Sequence, residues 1–129
     1  GGVYASNPSM CALAQAQDAS FEDRPNLDEI VLFSMGTGTS LVYIETRNLD
    51  WGYAQWAKPL INLMMHGVTG IADYQCKQML GNSYHRIAPV FPVGKVVAMD
   101  SVADIPYMVG FAENLDLAET IEWIKAHWV

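Results

Sequence analysis

Apolar residues fall along the chain in runs whose spacing predicts strands and helices in alternation. The run EIVLFSM, ending at Met35, is nearly continuous and rich in β-branched residues. That is the pattern of a strand buried on both faces, as in a parallel sheet. Near position 85, Tyr84, Arg86 and Ala88 alternate with His85, Ile87 and Pro89, which predicts a second strand. Pro89 places it at a sheet edge, because proline has no N–H for a ladder. Val3-Tyr4-Ala5 predicts a short strand at the start. Asn7-Pro8 then opens a helix through SMCALAQAQ, with Asn7 as the cap and Pro8 at the first helical position.

DASFEDRPN is a polar connection carrying Pro25. From about Trp51 the pattern is helical to Leu80, with Pro59, Gly67 and Gly70 expected to kink or divide it. MDSVADIPYMVGFAENL predicts a loop and then a helix capped by Asp104. In the last helix, from about Asp116, Leu117, Ile121, Ile124 and Trp128 share one face. The predicted order is β-α-β-α-α-β-α-α, an α/β class, with no repeat and no low-complexity segment.

Composition narrows this picture. The 129 residues are 51% hydrophobic and 16% charged, which is globular and apolar rather than disordered. The net charge of −7 gives no attraction for nucleic-acid phosphates or for anionic lipid surfaces. Cys11 and Cys76 follow no metal spacing, and each reads as a small buried hydrophobe. Residues 1–20 carry no basic stretch followed by an apolar core.

Candidate chemistry is sparse. The segment from Ser34 to Thr39 lacks the Gly-Lys-Ser/Thr of a phosphate loop, and Leu41 stands where a dinucleotide fingerprint needs Gly or Ala. This argues against a nucleotide-binding domain. Ser34, between Phe33 and Met35, is not on a nucleophile elbow. His66, His85 and His127 are too scattered for a triad or ligand set, so no metal or cofactor is expected. Asp73 is expected as a helix-surface charge and Asp100 as a cap. Trp51, Tyr53, Trp56, Met64 and Met65 form an aromatic and Met-rich stretch. It suits an acyl pocket or a membrane-surface contact, but ordinary core is the expectation.

Two stretches point further. GGVYASNP resembles the second catalytic motif of patatin-like phospholipases, Asp-Gly-Gly or Asp-Gly-Ala followed by a short strand and Asn-Pro opening a helix. VLFSMGTGT resembles that family's Ser-Leu-Gly-Thr-Gly strand end, with Met35 in the Leu position. ADYQCKQML, YHRIAPV and Met99-Asp100 leading to paired C-terminal helices extend the resemblance over nearly the whole chain. The resemblance implies the C-terminal part of a three-layer α/β/α domain, a mostly parallel sheet with flanking helices, spanning residues 1–129. It also implies hydrolysis of acyl esters of phospholipids or other lipids by a Ser-Asp dyad.

In that scheme the dyad Asp stands immediately before Gly1, and the Gly-x-Ser-x-Gly elbow and Gly-rich oxyanion loop lie in an upstream half. Gly1, Gly2, Asn7 and Pro8 are then motif-flanking residues, and Gly36, Thr37 and Gly38 form the strand-end loop. No catalytic residue is in this chain, so by itself it is expected to be inactive. As a half-domain it is expected to hold the upstream half non-covalently, to dimerise or to aggregate. The alternative is a non-catalytic structural or lipid-contacting module.

Overall fold

The computed structural model describes residues 4–40, 51–98 and 100–128, and within them the side chains other than those of Lys58, Asn62 and Met65. Gly1, Gly2, Val3 and Met99 lie outside the described residues. The architecture is mixed α/β: α1 (Ser9–Ala16), β1 (Leu32–Met35), α2 (Tyr53–Leu80), β2 (Tyr84–Ile87), α3 (Ile105–Glu113) and α4 (Ala118–His127). β1 and β2 pair in parallel as a two-stranded sheet. The chain clusters into two compact units, Gly1–Ser34 with Ile44–Arg86, and Met35–Tyr43 with Ile87–Val129.

In the first unit α1 packs on α2. Leu13 of α1, Cys76 and Leu80 of α2, and Tyr84 of β2 form a buried cluster, with Met10, Ile30 and Leu32 against it. Strand alternation explains the membership. Leu32 and Ser34 of β1 share a face with Tyr84 and Arg86 of β2, whereas Phe33 and His85 stack on the other face, ring centroids 6.1 Å apart. α2 ends where Gly81 takes φ +55° and donates its N–H to the Lys77 carbonyl, a left-handed stop that glycine adopts without a Cβ penalty.

In the second unit the parallel pairing continues beyond the strands. Gly36 N–H donates to the Ile87 carbonyl, Thr39 N–H to Pro89, and Phe91 N–H to Thr39. Phe91 is buried against the rings of Tyr107 and Phe111 of α3. Lys95 Nζ lies 4.4 Å above the Tyr107 ring and 2.7 Å from the Asp104 carboxylate.

Several expectations are corrected. Tyr4 lies in a turn and Ala5 in irregular chain, not in a strand. An extended segment becomes a strand only when a neighbour pairs with it, and β1 pairs with β2. β1 is half-buried at Leu32 and Phe33 and exposed at Met35, rather than buried on both faces. α2 runs unbroken through Pro59, Gly67 and Gly70. Asp104 stands at the α3 N-cap position, but its side chain makes no cap hydrogen bond. It bonds Lys95 instead, and hydrogen bonds from Lys95 and Ser101 hold its carboxyl below the ordinary range. Cys11 is exposed, while Cys76 is buried as expected. Tyr53, Trp56 and Met64 are exposed rather than core, as are Leu117, Ile121 and Trp128 of the α4 face.

Candidate functional site

An extended polar network in the first unit starts at Asn7. Its amide is 2% exposed and works in both directions. Oδ1 accepts the Ser9 N–H at 3.2 Å and the Ser9 hydroxyl at 2.6 Å. Nδ2 donates to the Thr69 carbonyl of α2 at 3.2 Å. Beside it the Ser6 and Thr69 hydroxyls are 2.8 Å apart. Asn7 therefore serves a free first-turn N–H as the sequence predicts, although Pro8 occupies the cap position and the helix begins one residue later.

From Ser9 the network crosses to the sheet. Ser9 Oγ lies 2.8 Å from Ser34 Oγ, and the Arg86 guanidinium donates to Ser34 Oγ. The Ser9 hydroxyl is the donor toward both Asn7 Oδ1 and Ser34 Oγ, and Ser34 Oγ also accepts from Arg86. Both serine hydroxyls also interact with the Tyr84 hydroxyl. Both serines are buried, so this satisfaction is what makes their burial tolerable.

A second arm runs beside it. The Tyr84 hydroxyl donates to the Asp73 carboxylate at 2.8 Å. Asp73, half-buried on α2, is thus more than a surface charge. Burial, then the bond to Asp73, pushes the Tyr84 phenol up. Burial, then the Asp73 charge, likewise pushes the Cys76 thiol up, with Arg86 opposing.

This arrangement holds parts in place; it does not present a nucleophile to a base. Ser34 is buried and bonded by Ser9 and Arg86, neither of which can act as a general base toward it. A cleft of about 240 Å³ lies beside Asn7, lined by Tyr4, Met10, Cys11, Ile71 and Gln75 among others. Among the described residues no group of His, Cys, Asp and Glu could hold a metal ion. No helix among the described residues is long and apolar enough to cross a membrane.

The other sequence candidates fall as follows. Gly1 and Gly2 lie outside the described residues, and Pro8 stands at the cap of α1 rather than at its first helical position. Gly36, Thr37 and Gly38 form the loop after β1 in the second unit. Gly38 has φ +112°, and a Cβ there would stand 2.6 Å from Phe91 Cζ. His85 stacks on Phe33, and His127 stacks on Trp123 with Nδ1 2.9 Å from the Trp123 carbonyl oxygen. His66 and Asp100 are exposed. Residue-type spacing alone missed Ser9, Ser34 and Arg86 as a set. The available signal was Ser34 itself, a hydroxyl inside an apolar strand run that demands a buried partner.

Compared with protein-family models, with curated proteins and with solved structures, the chain gives no match in any of the three.

Proposed function

We propose that this chain is the C-terminal part of a patatin-like lipid acyl hydrolase domain, in which the segment Gly1–Pro8 follows the catalytic Asp. The observation that carries the reading is the anchoring of Asn7. One buried amide ties the chain just after Gly-Gly to the first turn of α1 and to α2, and the serine contact ties that turn to β1. A general base must be held in fixed geometry, within hydrogen-bond reach of the hydroxyl whose proton it takes.

In this reading a Ser of an upstream elbow attacks the ester carbonyl. The Asp takes its proton, and backbone N–H groups of an upstream loop stabilise the oxyanion. The mixed α/β architecture with parallel pairing supports the placement of the two motifs, and the three-layer domain is part of the proposal. The substrate is an acyl ester of a phospholipid or another lipid.

The test is twofold. The coding sequence upstream of Gly1 is expected to contain Gly-x-Ser-x-Gly and to end in Asp. The 129-residue chain alone is expected to leave p-nitrophenyl esters unhydrolysed, while the longer polypeptide turns them over. An upstream sequence without those residues, or turnover by the short chain that purification does not remove, overturns the reading.

A further inference from the structure

Helix α2 carries a stripe that the first unit leaves uncovered. Tyr53, Trp56, Leu60, Leu63, Met64, Gly67, Ile71 and Tyr74 lie along one side at steps of three and four on either side of the adjacent pair Leu63 and Met64. That spacing keeps one side of a helix facing a partner helix. The face that packs inward is a different one, formed by Ala72, Cys76 and Leu80. On the stripe Tyr53 is 99% exposed, Tyr74 66% and Trp56 41%. The stripe holds no charged residue, in a chain of net charge −7.

We propose that the stripe pairs with the same stripe of a second copy, antiparallel, about a two-fold axis between Leu63 and Met64. Position arithmetic favours this occupant. Reflection about that point places Tyr53 against Tyr74, Trp56 against Ile71, Leu60 against Gly67, and Leu63 against Met64. Every one of these residues is exposed in the single chain. Large faces small at the Leu60–Gly67 pair: a Cβ added at Gly67 meets nothing within 4 Å, so a partner's Leu60 has room to approach the backbone. Such a self-complementary patch is what a two-fold dimer requires.

The exposed area falls within the range of stable contacts, roughly 600–1,000 Å² per partner. Aromatic side chains bury roughly 150–250 Å² each. With the aliphatic residues and these exposures, the stripe offers on the order of 700 Å² per copy, against about 800 Å² per partner for a stable interface. The lack of charge removes the electrostatic obstacle to pairing two acidic chains, and it gives a cationic partner nothing to recognise. Tyr53 and Tyr74 stand about 32 Å apart along the axis, so the contact runs over most of the helix.

The inference does not rest on the hydrolase reading, and its test uses no esterase assay. Sedimentation equilibrium of the chain is expected to give twice the monomer mass. Leu63→Glu, which puts a carboxylate at the two-fold axis, is expected to raise the dissociation constant at least about a hundredfold, with helix content by circular dichroism unchanged. In a Cys11→Ser background, Leu60→Cys combined with Gly67→Cys is expected to cross-link two copies on oxidation, and Leu60→Cys alone is not. This arm holds even where Leu63→Glu misfolds. A chain that stays monomeric up to about 100 μM, beyond the range of specific association expected for such an area, overturns the proposal. So does cross-linking by Leu60→Cys alone, which reports parallel pairing. A monomer that instead floats with phosphatidylcholine vesicles assigns the stripe to lipid and overturns it too.

Discussion

Asn7 is the residue whose chemistry is most tightly specified. Asp usually replaces Asn at a helix start with little loss, because either side chain offers an oxygen to a first-turn N–H. Here the other end of the amide donates to the Thr69 carbonyl. Asn7→Asp keeps the cap and turns a donor into an acceptor facing an acceptor in a buried place. It is expected to cost about 1–3 kcal/mol, as much as Asn7→Ala or more, measured as the shift in the urea midpoint. A loss of a few tenths would show that the bond to α2 contributes nothing. The sequence already shows why Asn precedes Pro8, since both are helix-start residues. It does not show the second half of the amide's work, because Thr69 is distant in the chain and nothing in its local pattern announces an open carbonyl.

At the scale of elements, those defined by local rules were legible and those decided by distant partners were not. α1 was readable from Asn7-Pro8 and the Ala-rich run, β2 from its alternation, and α3 from the residues after Asp104. The segment around Tyr4 has strand-like residues but no ladder among the described residues, and propensity alone makes no strand. α2 outlasts its glycines and proline because each costs one local penalty, about 1 kcal/mol for a Gly and about 3 for a Pro. Continuous hydrogen bonding and the packing of its C-terminal half on α1 offset those costs. The network from Arg86 to Asn7 joins three elements and was invisible for the same reason as the Thr69 contact. Gly38 is the opposite case, a turn residue visible in Gly-Thr-Gly whose reason emerges only with Phe91. Gly38→Ala meets a left-handed φ and the Phe91 ring together. It is expected to cost roughly 2–4 kcal/mol, read as a lower melting temperature with loss of near-UV aromatic signal. A neutral substitution would mean that the backbone at residue 38 leaves its left-handed φ and the Phe91 ring moves aside, both without cost.

For the whole molecule, the 51% hydrophobic content is the fact that organises the rest. The described residues bury few of their large apolar side chains completely, while a long series from Tyr4 to Trp128 remains exposed. Surface of that extent favours association, and the antiparallel stripe and the proposed upstream half are two distinct ways of covering it. The placement of the two thiols gives this architecture a practical consequence. Cys11 sits on the outside of α1, whereas Cys76 lies fully buried beneath the same helix with its ionisation suppressed. Only a thiolate attacks a disulfide reagent, so the folded chain is expected to release one equivalent of thionitrobenzoate promptly and the second slowly. The slow phase measures how often α1 lifts from α2, and two equivalents released together would mean that the helix pair stands open in solution. The unaltered protein thus carries a chemical clock for its own breathing, with one sulfur as the internal standard and the other as the hand.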